Sequence, residues 1–141
     1  METHKIIINT CYGSFNISYP AIELYYKRKY NQKLYFYKRA NYSEDYERCE
    51  SNVAEMCFFK DQGDTLNKWD INFDYFVTTC DFERTDPVLI EVVEELGKEA
   101  NGLYANLSVV TIKGNKYRIE VDDGRESIVT PDTIKWDIIK D

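Results

Sequence analysis

Apolar positions change their period several times along the chain, and each change predicts an element. Ile6-Ile7-Ile8, inside Lys5–Asn9, is a short, fully apolar β-branched run, as in a strand buried on both faces. Thr10–Asn16, with one glycine, reads as a loop. Ser18 can then cap a helix that tolerates Pro20 in its first turn. Ala21, Ile22, Leu24, Tyr25 and Tyr26 draw its apolar stripe before the basic triplet Lys27–Lys29. Lys33–Lys38 predicts a second strand and Asp74–Asp81 a third. The clearest helix starts at Asp86 as cap, with Pro87 as a favoured first residue. Leu89, Val92, Val93, Leu96 and Ala100 recur at helical spacing, while Glu91, Glu94, Glu95, Lys98 and Glu99 cover the outside. Asn101-Gly102 offers a left-handed stop. Beyond it, Leu107–Lys113 and Lys116–Val121 flank Gly114-Asn115, a two-residue hairpin signal. Asp122-Asp123-Gly124 turns the chain into Glu126–Val129, and Pro131 ends the pattern.

Residues 39–72 carry no clear period. They are polar, acidic and aromatic, with a strand or helical turn at Val53–Phe59 and a turn at Asp61–Asp64. A stretch of this kind reads as an insertion or long loop over 40–72 inside a single domain of residues 1–141. The order is therefore β-α-β-(loop)-β-α-β-β. It predicts an α+β fold, a mixed sheet whose two crossover helices require some parallel pairing. A three-layer α/β arrangement is the alternative.

Composition narrows the functional classes. Among 141 residues, 12 Tyr, 7 Phe and 2 Trp supply more apolar area than a disordered chain carries. No apolar run approaches roughly 20 residues, and the N-terminal apolar core Ile6-Ile7-Ile8 is too short for a signal peptide and lacks a small-residue cleavage site, so a soluble protein of the cytoplasm is expected. A net charge of -7 argues against nucleic acid or anionic membrane as a partner. The charge is uneven: residues 1–39 hold 7 basic and 2 acidic side chains, the remainder 11 and 23. The basic stretch reads as a solvated helix end or as an anion-docking patch. Cys11, Cys49, Cys57 and Cys80 show no paired spacing, which predicts free thiols and neither metal nor cofactor.

Candidate chemistry gathers at two loops. Asn9, Thr10, Tyr12, Gly13 and Ser14 lie between a strand and a helix N-terminus, where backbone amides and the helix dipole favour a phosphate or carboxylate. The plainer reading is a β-α turn whose polar side chains bond the local backbone. Cys11 is a weak candidate nucleophile at that terminus, or else a buried inert thiol. Arg84 and Asp86 follow the expected third strand. If that strand ran parallel beside the first, Arg84 would be a cation at the same rim; otherwise it pairs locally with Asp86. Asp122, Asp123 and Glu126 could bind a divalent cation, although Asp-Asp-Gly is first a turn.

Ile8-Asn9-Thr10-Cys11-Tyr12-Gly13-Ser14-Phe15, with Ser18 and Ala21, resembles the opening I-N-x-C-Y-G-G-F-x-L-S of a family of small uncharacterised proteins encoded by tailed phages and large DNA viruses. Arg84-Thr85-Asp86-Pro87, Val92-Val93-Glu94-Glu95-Leu96-Gly97, Ala100-Asn101-Gly102 and the later Asp123-Gly124 with Glu126 continue the likeness over residues 4–26 and 76–128. Ser14 stands where the pattern has a second glycine, 40–72 looks inserted, and the basic-x-Trp ending survives only as Lys135-Trp136. The resemblance implies a viral origin and a fold, but no reaction. The expectation is a viral accessory protein of the host cytoplasm, or of the virion. It would bind a small anionic ligand or a host protein through the loops at 10–16 and 84–86. A small hydrolase or transferase acting on a nucleotide-like substrate and a virion-associated interaction protein are the rivals.

Overall fold

A computed structural model of the chain describes residues 2–41, 44–133 and 137–140. The chain is α+β, with strands β1 (Thr3–Asn9), β2 (Tyr35–Arg39), β3 (Tyr46–Cys49), β4 (Met56–Phe58), β5 (Thr65–Leu66), β6 (Leu107–Lys113), β7 (Arg118–Asp122) and β8 (Arg125–Val129). Helices α1 (Tyr19–Tyr30) and α2 (Pro87–Leu96) complete it. No described helix is long and apolar enough to cross a membrane. Among the described strands, every paired ladder is antiparallel: β1 with β6, β2 with β3 and β4, β3 with β5, and β7 with β8. The expected parallel pairing is therefore absent, and with it the three-layer α/β alternative.

The Ile6-Ile7-Ile8 run is buried on both faces, as its composition demands, but by a different arrangement. Ile7 joins the main core with Leu89, Val92 and Ile22 of the helices. Ile6 and Ile8 turn the other way, onto Ile112 and Val110 of β6 and onto Ile119 and Ile128 of the β7–β8 hairpin. Thus β1 and β6 are a two-stranded layer between helices and hairpin, and a β-branched triplet fits both sides of it. Ser18 caps α1 by accepting the Ala21 amide, and Asp86 caps α2 by accepting the amides of Val88 and Leu89, as the sequence predicts.

Three expectations give way. Asp74–Asp81 is not a strand: a 3-10 turn occupies Phe73–Tyr75, followed by a strap touching β4 through one bridge, Phe58 with Phe76. Within residues 40–72, three short strands, β3, β4 and β5, join β2 in the order β4-β2-β3-β5, and the described residues between them are turns and irregular chain. With Tyr37 of β2, Phe58 and Leu66 form a further cluster against which Tyr46, Met56 and Ile71 pack. The Gly114-Asn115 hairpin does not pair β6 with β7; the two-residue turn lies instead at Asp123 and Gly124, both at positive φ, between β7 and β8. Finally, α2 stops at Gly97, φ 58°, and a 3-10 turn carries the chain to Ala100. Asn101-Gly102 serves the loops instead, Gly102 lying so close to Asn16 that a Cβ would collide with it. Lys135-Trp136 lies outside the described residues.

The four cysteines are free thiols. Cys57 is buried in β4, and burial pushes its thiol up, whereas Cys80 is exposed. A thiol reagent is expected to label Cys80 first in the native protein and Cys57 only on unfolding. Equal rates at the two positions would place β4 outside the core.

Candidate functional site

Ladder parity decides which β1 amides are available. The Thr10 amide donates to Asn106 O and the Gly114 amide to Glu2 O, so ladder bonds fall on even-numbered β1 residues. Odd-numbered residues point their amides away from β6. Ile7 donates to Arg84 O at 2.9 Å, and Asn9 donates to Glu126 Oε1 at 2.8 Å. Arg84 thereby reaches the first loop without a third strand, through backbone pairing to β1.

Its guanidinium lies 3.5 Å above the Phe15 ring and meets Glu126 as a fork, Nη1 to Oε1 at 2.6 Å and Nη2 to Oε2 at 2.8 Å. A backbone amide and a bidentate arginine do converge on one anion, as the sequence suggested. The anion is the chain's own Glu126 carboxylate, nearly buried. Burial alone would raise its pKa, but the Arg84 fork and the Asn9 amide outweigh burial and hold it below the usual glutamate range. Glu126 is thus an ion-pair partner, not a cation ligand.

Asn9 ties three loops together. Its buried side chain donates from Nδ2 to the carbonyls of Cys11 (3.0 Å) and Gly124 (2.9 Å), and its Oδ1 accepts the Asn106 amide at 2.8 Å. Cys11 Sγ sits 3.3 Å from both Asn9 Oδ1 and Tyr104 O. Thr10 Oγ1 donates to Asn106 O, and the Ser14 amide to Tyr104 O. The backbones pack so closely that a Cβ on Gly13 would strike Tyr104 O, and one on Gly124 would strike Gly13 O. Gly124 adopts φ 83° besides, so both positions require glycine.

This knot displays large side chains outward. Tyr12 is 66% exposed, Leu103 72% and Tyr104 76%, and Tyr104 holds a left-handed φ of 60°. A bulky residue in that conformation costs energy that only well-fixed surroundings sustain. Arg125 stacks on Tyr12, and Val121, Asp122 and Asp123 are exposed on the neighbouring strand and turn.

No protein-family model, curated protein or solved structure matches the chain.

Asp86, the other expected site residue, belongs elsewhere. Its Oδ2 accepts Tyr25 Oη at 2.7 Å and an ion pair from Lys29, so it locks α2 to the end of α1. Arg28 meets Glu91 and Glu95 across the same seam. Arg28 and Lys29 of the basic helix end are thus drawn onto α2 and its cap. Burial raises the Asp86 pKa, but Lys29, Tyr25 and the two capping amides outweigh it and lower it. His4, the only histidine, bonds Gly114 O at the far end of β1, and Cys11 Sγ faces two acceptors, Asn9 Oδ1 and Tyr104 O. Among the described residues no three His, Cys, Asp or Glu side chains group to hold a metal. Sequence reasoning missed Leu103, Tyr104 and Asn106; the only signal was their place between the expected helix stop and the β6 strand.

Both depressed carboxylates make stability depend on acid. A group with a lowered native pKa stabilises the fold above its unfolded value, and that contribution is lost as pH falls through the native one. The urea midpoint should hold from about pH 7 to 5 and drop below about pH 4, less steeply in Glu126→Gln. A midpoint that climbs on acidification would contradict both assignments.

Proposed function

We propose that the chain is a viral accessory protein that works by binding a host protein, with the Tyr12, Leu103 and Tyr104 rim as its contact surface. The viral setting rests on the sequence resemblance. The binding mode rests on one observation: the arginine and amide that could seize a small anion already hold Glu126. An external phosphate would have to displace a nearly buried, bidentate carboxylate before gaining any contact. The same knot fixes two tyrosines and a leucine in solvent, and exposed aromatic side chains on a rigid support suit protein contacts. Asp122 and Asp123 beside the rim favour a partner whose apolar contact patch is edged by basic side chains. Catalysis by Cys11 or Asp86 has less support, since Cys11 Sγ faces an amide oxygen and a backbone carbonyl and the Asp86 carboxylate is held by Tyr25, Lys29 and the two capping amides.

A photo-crosslinking amino acid at Leu103 tests this reading in cells, against the same group at Tyr30, exposed at the end of α1. The expected result is a discrete protein adduct from position 103 that position 30 does not give. Indistinguishable adducts from both positions, or a small anion retained in native mass spectrometry of the purified chain, would count against the proposal.

A further inference from the structure

Backbone partners are unevenly shared along the open sides of the β1–β6 layer. On β1, Ile7 pairs with Arg84 and the Asn9 amide with Glu126. On β6, the outward residues are Leu107, Val109, Thr111 and Lys113, opposite the odd-numbered residues of β1. The Leu107 amide is taken by Asn101 Oδ1 at 2.7 Å. The outward amides and carbonyls of Val109 and Thr111 have no partner among the described residues, and β6 pairs with β1 alone. Natural edge strands are guarded by proline, a bulge or a central charge. Ser108-Val109-Val110-Thr111-Ile112 has none of these, and its register against β1 is unbroken over seven residues.

We infer that the β6 edge pairs with the β6 edge of a second copy, antiparallel about a two-fold axis at Val110, giving one continuous sheet β1-β6-β6-β1. The strand is complementary to itself in this register. Val109 and Thr111 are both outward and lie one residue either side of Val110, so each exchanges both hydrogen bonds with the other in the second copy. Val110 meets Val110, and Ser108 meets Ile112. On the other face Val109 meets Thr111, the β-branched pairings that sheets favour. Lys113 falls opposite Leu107 and not opposite itself, so the only charge on the strand raises no like-charge clash. A one-residue slip in either direction would set inward-pointing amides against outward ones, so the pairing can shift only in steps of two residues. A foreign extended peptide offers the same backbone groups but not this symmetric match of side chains.

Thr111→Pro tests the inference cleanly. It deletes the outward amide, while the ladder to β1 does not use that amide, and proline is tolerated at such edge positions. Thr111→Lys, at an exposed position, is the second variant, and circular dichroism confirms that each still folds. Sedimentation equilibrium of the full chain is expected to show a reversible dimer at high micromolar concentration, with both variants monomeric. Exchange of the Val109 and Thr111 amides should slow as wild-type concentration rises. A wild-type chain that stays monomeric, or a dimer that survives Thr111→Pro, would overturn the inference.

Discussion

Arg84→Ala is expected to destabilise the protein by about 3–5 kcal/mol at neutral pH, because it strands a nearly buried carboxylate. Glu126 would keep only the Asn9 amide, and its pKa should climb above the usual glutamate range. The loss should therefore shrink as pH falls and Glu126 takes up a proton. Arg84→Lys keeps the charge but not the fork, and about 1–2 kcal/mol should go with it. Replacing both partners, as Arg84→Met with Glu126→Leu, should recover much of the Arg84→Ala loss, since apolar groups of similar shape leave no unpaired charge. Urea midpoints across the four proteins check the series. A loss in Arg84→Ala below about 1 kcal/mol, the range of a surface pair, would show that solvent reaches Glu126 freely.

Asn9→Ala should be nearly as damaging, at about 3–4 kcal/mol, because two carbonyls and one amide lose their partner together at a buried position. Asn9→Asp is the sharper test. Aspartate has almost the same shape but cannot donate, so its oxygens would face the Cys11 and Gly124 carbonyls beside the Glu126 carboxylate. It should cost at least as much as alanine at neutral pH and partly recover on acidification, when the new carboxyl regains a proton to donate. If Asn9→Asp matched the wild type at neutral pH, the two carbonyl contacts would not hold the loops.

Local signals in the sequence served where local chemistry decides structure. The Ser18 and Asp86 caps, the Ile6-Ile7-Ile8 strand and the bounds of Leu107–Lys113 follow from capping, β-branching and burial within a few residues. Pairing was another matter. Nothing near Leu107–Lys113 shows that it will pair with a strand about a hundred residues earlier and not across Gly114-Asn115, because the Ile6-Ile7-Ile8 run and the alternating Tyr117, Ile119 and Val121 both offer it apolar side chains. Strands of two to four residues, such as Thr65–Leu66 and Met56–Phe58, are too short for any period to register. The convergence of Arg84 on the first loop was legible only in outcome. Its reason, a parallel third strand, was wrong, and a direct backbone bond to Ile7 replaces it. Glu126 was singled out for its charge, yet only the fold of β8 beside β1 turns that charge toward Arg84 instead of toward solvent.

The proposed function requires that Glu126 fill the anion seat from within, which would leave the Tyr12, Leu103 and Tyr104 rim as the proposed contact face. The side-chain carboxyl carbon of Glu126, followed by NMR through an acid titration with and without millimolar inorganic phosphate, reports on this directly. The expected record is a titration below the usual glutamate range that phosphate does not move. A carboxyl that titrates at the ordinary value, and whose signal shifts saturably with phosphate together with that of the Arg84 side chain, would contradict it.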